Sequence, residues 1–120
     1  MALNPLMKAA VEGVADALRS YASEKGWGPD DYRILVRVNE GWDLLHVVLA
    51  VSRMPEGDRF PTWKEIMDYI YQHDKLNVFK RINQLGLSLR SLDQIGGEGL
   101  YAIGPDFVDV KELLPAGAST

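Results

Sequence analysis

The chain predicts an α+β fold in which helices pack on a small antiparallel sheet, and three observations carry that expectation. Apolar residues recur at helical spacing through the first 25 positions, two strand-like runs between Tyr32 and Ser52 flank a tight turn, and a second helical stripe follows Thr62. The order is helix, strand, strand, helix, helix, strand, with a further short strand at Leu100–Ile103. Strands paired by a hairpin, with helices before and after them, belong to that class.

The first helix runs from about Pro5 to Lys25. Asn4 is a natural N-cap, and Pro5 takes the first helical position, where its missing N–H costs nothing. Met7, Val11, Val14, Leu18 and Tyr21 recur at spacings of four and three and so share one stripe, which faces the core or another helix. Gly26 is placed to take the left-handed conformation that ends the helix, and Gly26–Asp31 is turn chemistry.

From Tyr32 to Asn39 the side chains alternate, with Ile34, Val36 and Val38 on one face and Arg33, Leu35 and Arg37 on the other. Asn39-Glu40-Gly41 supplies a hairpin turn, and Leu44–Ser52 is apolar on both faces, as a covered central strand requires. A three-residue loop with Gly41 left-handed would pair Arg37 with Asp43 and put His46 on the face of Ile34 and Val36. That register is expected because it gives each charge a partner or a solvated face. A two-residue loop would instead gather Arg33, Arg37 and His46 on one face.

Arg53–Pro61 is rich in turn formers and reads as a loop. Thr62-Trp63-Lys64-Glu65 matches a capping box, in which hydroxyl and carboxylate each accept from a free backbone N–H. Trp63, Ile66, Met67, Ile70 and Tyr71 form the stripe of this second helix. The stripe restarts after His73-Asp74 with Val78, Phe79, Ile82 and Leu85, a short helix from about Asn77 that Gly86 terminates. Leu87–Arg90 alternates like a strand, but Leu92 and Ile95 fit a helical turn equally well, so Leu87–Ile95 is left open between the two. A last helical turn is expected at Val110–Leu114, capped by Asp109. Residues 1–114 are expected to form one α+β domain and Pro115–Thr120 a disordered tail.

Composition bounds the function. In 120 residues, 47% hydrophobic and 25% charged content is ordinary for a folded globule. Thirteen Lys and Arg against 17 Asp and Glu give a net charge of -4, which opposes general attraction to nucleic acid or anionic lipid. The absence of cysteine removes disulfides and thiolate chemistry. No apolar run approaches the roughly 20 residues that span a bilayer. Lys8, Glu12, Asp16 and Arg19 interrupt the place where a signal peptide's apolar region would sit. A soluble, cytoplasmic protein without membrane association is expected.

Few residues carry a chemical motif. QIGGEGLYAIGP, Gln94–Pro105, matches G-x-G-x-x-A at Gly97, Gly99 and Ala102. Gly104-Pro105 stops the helix whose N–H groups would face a phosphate, and Glu98 would set a carboxylate beside it, so the stretch reads as a turn. His73-Asp74 resembles the HD dipeptide of metal phosphohydrolases, but His46 and His73 are the only histidines, too few for that metal shell. His73 instead suits the carboxyl end of the second helix, and no metal or cofactor is expected. Ser20, Ser23, Ser52, Ser88, Ser91 and Ser119 stand without activating neighbours in the sequence, so no catalytic residue is assigned.

Two surfaces remain as binding candidates. Lys75, Lys80, Arg81 and Arg90 form the densest basic region, and the element order is similar to that of type II KH modules, which clamp RNA with a GXXG loop between two helices. The corresponding stretch, His73–Asn77, has no glycine and carries Asp74, so the resemblance is one of topology. It implies an RNA-binding module as the alternative function. The second surface is aromatic: Trp27, Trp42, Trp63, Tyr69, Tyr71 and Tyr101 are many for a small core, and Trp42 sits at the hairpin tip while Trp27 lies in a turn. Exposed, they are interface anchors; folded back, they are lids over the sheet edge.

The expected function is a non-catalytic protein-interaction or regulatory domain, with homodimerisation through the sheet as one mode. Its contact residues are Arg33, Arg37, Trp42 and His46, on or near the hairpin. A small enzyme or ligand carrier using the space between sheet and helices is the third reading.

Overall fold

The computed structural model describes residues 3–95 and 107–114. Helix α1 spans Pro5–Glu24, and all five residues of its expected stripe are buried. Ala10, Ala15, Ala17 and Ala22 are buried as well, so the packed face is wider than the stripe of large side chains. The Asn4 side chain accepts from the Met7 N–H at 2.8 Å, and Gly26 ends the helix at φ +75°. Trp27 then folds back, its ring 5.7 Å from Tyr21 and 6.1 Å from Tyr32. It is a lid, not an exposed anchor.

Strands β1 (Tyr32–Asn39), β2 (Leu44–Val51), β3 (Gln84–Ser91) and β4 (Val108–Asp109) form one sheet in the order β3-β2-β1-β4. β1 is antiparallel to β2 and to β4, whereas β3 runs parallel to β2. The fold is therefore α+β with a mixed sheet, which corrects the antiparallel expectation. After β2 the chain crosses back through α2 (Phe60–His73) and α3 (Val78–Arg81), a crossover long enough for the next strand to lie parallel. Single helical turns α4 (Leu92–Ile95) and α5 (Val110–Leu113) complete the described elements. Asp109 caps α5, accepting from Lys111 N–H at 2.9 Å.

One core cluster joins α1, α2 and α3 to a single sheet face made by Ile34, Val36, Leu45, Val47, Leu49, Leu85, Leu87 and Leu89. No helix among the described residues is long and apolar enough to cross a membrane.

Three local expectations fail, each for a visible reason. The capping box does not form, because α2 begins three residues earlier, with Arg59 rather than Thr62 at the N-cap position. Asp58 accepts from the Phe60 N–H at 3.0 Å, and Pro61 lies in the first turn with no N–H to satisfy. Glu65 is thereby released to accept from the Tyr21 hydroxyl at 3.3 Å and Lys25 at 3.1 Å.

Gly86 does not terminate α3 but lies inside β3, opposite His46. α3 is started instead by Asp74, whose carboxylate accepts from the Val78 and Phe79 N–H groups, both at 2.9 Å. Leu87–Ile95 divides as strand through Ser91 and helical turn thereafter.

The hairpin is the third. Asn39 pairs with Leu44, leaving a four-residue loop, Glu40–Asp43, and Arg37 faces His46 rather than Asp43. Asp43, not Gly41, is left-handed at φ +51°, and the Asn39 side chain braces the turn by accepting from the Trp42 N–H at 3.3 Å. The expected strand Leu100–Ile103, the Gln94–Pro105 glycine cluster beyond Ile95, Tyr101 and the tail Pro115–Thr120 lie outside the described residues.

Candidate binding surface at the hairpin end

An even-length loop decides which side chains share a face, because strand side chains alternate with a period of two. Arg33, Leu35 and Arg37 of β1 align with Ala50, Val48 and His46 of β2, and these with Arg90, Ser88 and Gly86 of β3. This outer face points away from α1 and α2. Its apolar centre, Leu35, Val48 and Ala50, is buried beneath Leu92 and Phe107. The doubly apolar second strand is thus covered in part by its own chain.

Polar groups surround that centre. His46 Nε2 lies 3.0 Å from Ser88 Oγ, and the imidazole meets the Phe107 ring edge-on at 5.2 Å. The Arg37 guanidinium sits 5.3 Å from the same Phe107 ring, within cation–π range. Gly86 faces His46 across the ladder; a Cβ there would lie 3.5 Å from the imidazole, so a larger side chain would crowd the ring. Burial, then the nearby Arg37 and Arg90 charges, hold His46 below the usual histidine range. The imidazole is therefore neutral at pH 7.

Arg33 pairs with Asp109 at 3.2 Å. Arg90 donates to its neighbour's carbonyl, Leu89 O, at 3.1 Å. Neither Arg37 nor Arg90 has a carboxylate partner among the described residues.

A cleft of about 830 Å³ opens beside this cluster, lined by Arg37, Asn39, Glu40, Leu44, His46 and Gly86 among others. Trp42 stands on the loop between the lining residues Glu40 and Leu44, and 68% of it is exposed. The loop is fastened on both sides. Glu40 accepts from the Asn4 N–H at 3.3 Å, and the Asp43 carbonyl accepts from the Asn83 N–H at 2.9 Å. A loop backbone fastened in this way loses little freedom when its exposed indole binds.

Of the four expected contact residues, Arg37, His46 and Trp42 meet at the hairpin end. Arg33 lies at the other end of the face, four residues or roughly 13 Å along β1 from Arg37. The basic set divides more sharply. Lys75, Lys80 and Arg81 are exposed around α3, which packs on α1 through Phe79, whereas Arg90 lies on the outer sheet face roughly 20 Å along β3 from Gln84.

Sequence reasoning missed Ser88. It stands 42 residues from His46, and only the hairpin register together with the parallel β2–β3 pairing brings the two side chains together.

No protein-family model matches this chain, and neither curated proteins nor solved structures give a significant match.

Proposed function

We propose that this chain is a non-catalytic interaction domain that holds a protein partner at the hairpin end of its outer sheet face. The observation that carries the reading is Trp42, a largely exposed indole on a loop fastened to both α1 and β3, beside a cleft and an Arg37 with no carboxylate partner among the described residues. Aromatic and arginine side chains are the usual energetic anchors of interfaces. A second copy of the chain is one such partner. Leu92 and Phe107 already cover the centre of the outer face, so homodimerisation would use the hairpin end.

The test places a photo-cross-linking amino acid at position 42 and, as a control, at position 71 on α2, and measures the native mass over a concentration series. A cross-link at 42 alone supports the reading; a dimer mass lost in Trp42→Ala identifies the partner as a second copy. A monomer with no cross-link at either position overturns it.

A second reading, a small enzyme, takes support from one contact. Ser88 lies within hydrogen-bond reach of an imidazole that stays neutral at pH 7, as a nucleophile–base pair requires. No acid orients His46 among the described residues, which keeps this reading second. Covalent labelling of Ser88 by a fluorophosphonate, lost in Ser88→Ala, would promote it.

A further inference from the structure

We infer that the segment of the partner held in the hairpin-end cleft is acidic, an extended peptide that sets carboxylates against Arg37 and His46 and an apolar side chain against Trp42. The inference rests on the interaction reading above and names the chemistry of the partner.

Charge is the first argument. The chain carries -4 overall, yet the outer face gathers the charged Arg37 and Arg90 beside the neutral His46. Two of the acids near them are already engaged: Asp109 by Arg33, and Glu40, which also lines the cleft, by the Asn4 N–H. A positive strip on a negative protein steers an anionic partner to one place.

Geometry is the second. Contact with the Phe107 ring orients the Arg37 guanidinium while leaving its N–H fork without a carboxylate among the described residues. That fork matches a carboxylate in bidentate geometry. His46 Nε2 is taken by Ser88, and Nδ1 has no partner among the described residues.

Size is the third. A volume of about 830 Å³ lies within the range that holds drug-sized ligands, more space than a single small anion fills. Its lining includes Val38 and Leu44 beside the charges, which suits apolar and acidic side chains in alternation.

The experiment measures fluorescence anisotropy of labelled probes with the full chain: a peptide alternating Glu and Leu, its Gln–Leu counterpart, and single-stranded oligouridine, with free citrate as competitor. The Glu–Leu peptide is expected to bind at least about tenfold more tightly than the Gln–Leu peptide. Arg37→Gln should remove most of that difference, and Trp42→Ala should weaken both peptides. Lys64→Gln, on α2 and outside the cleft lining, should change neither.

Equal binding of the two peptides would overturn the acidic segment while leaving the interaction surface standing. Tight citrate binding with no peptide binding would assign the cleft to a free oxyanion, and oligouridine binding above the Glu–Leu peptide would assign it to nucleic acid. Either result overturns the inference, as does the absence of binding by every probe.

Discussion

On the face turned to α1 and α2 the sheet presents Ile34, Val36, Leu45, Val47, Leu49, Leu85, Leu87 and Leu89, an unbroken apolar layer. On the outer face an apolar centre of only Leu35, Val48 and Ala50 is surrounded by Arg33, Arg37, His46, Ser88 and Arg90. The inner face would tolerate many apolar sequences, because it asks only for hydrophobic volume. The outer face depends on which residues stand opposite one another. Its arrangement is fixed by the parity of a four-residue loop, so the tightly packed face and the face proposed for recognition are opposite sides of one sheet.

The largest test of that difference makes the same substitution on each face. Leu49 and Leu35 are 1% and 2% exposed, so burial alone would predict equal losses. Leu49→Ala removes a side chain between the sheet and full helices, and a loss of about 3–4 kcal/mol is expected in urea unfolding. Leu35→Ala lies under Leu92 and Phe107, a thinner cover that can settle into the space, and about 2 kcal/mol is expected. Equal losses would mean that the outer face is as firmly packed as the inner one.

What the sequence made legible follows the same division. The α1 stripe, its Asn4 cap, the Gly26 stop and the alternation of β1 depend on neighbours within a few residues, and they appear in the structure as read. The failures depend on distant partners. Gly86 has the local look of a helix-ending glycine, but pairing of β3 with β2 draws it into a strand beneath His46. Glu65 completes a capping box on paper, yet Tyr21 and Lys25, more than 40 positions away in one case and 40 in the other, claim its carboxylate. The contact residues on the hairpin were visible as types, because tryptophan, arginine and histidine are conspicuous near a turn. The gathering of Arg33, Arg37 and His46 on one face appeared only as the less expected two-residue-loop alternative, and the loop that produces it has four residues, with Asp43 rather than the more permissive Gly41 left-handed.

The strand β3, outermost in the sheet beside β2 among the described residues, offers a smaller test. Trp63 on α2 donates its indole N–H to the Leu87 carbonyl at 2.8 Å, fastening the helix to the edge strand. Trp63→Phe keeps an aromatic ring but removes this bond, with an expected loss of about 0.5–1.5 kcal/mol. Amide hydrogen exchange should quicken along β3 more than along β1. Uniform exchange in both strands would show that the inner face, without this bond, already holds the edge.

A smaller effect of opposite sign is expected at Gly86. Its added Cβ would meet His46 at an ordinary 3.5 Å, and a strand glycine is less favourable than alanine by roughly 0.5–1 kcal/mol. Gly86→Ala should therefore raise the urea midpoint slightly while narrowing the cleft, so the Glu–Leu peptide should bind more weakly to the more stable protein. Lower stability would mean that the imidazole cannot yield.

The two faces should also respond to opposite ends of the pH scale. On the outer face, burial and then Arg37 and Arg90 hold the His46 pKa below the unfolded value of 6.5. Phe107 meets the ring edge-on, and Ser88 engages Nε2, so neither supplies a negative charge to favour protonation. Below about pH 6.5 the unfolded chain binds the proton more readily than the folded one, and stability falls as the solution is acidified through the folded pKa. On the helix side, burial and then Glu65 push Tyr21 from 10.0 up to about 12. There the folded chain holds its proton longer, so this contribution is complete below pH 10 and disappears as the pH rises through about 12. Urea midpoints followed across pH should show His46→Gln flattening the acid limb and Tyr21→Phe flattening the alkaline limb, each without changing the other. An acid limb unchanged in His46→Gln would transfer that dependence to the carboxylates and remove the imidazole from the account of the outer face.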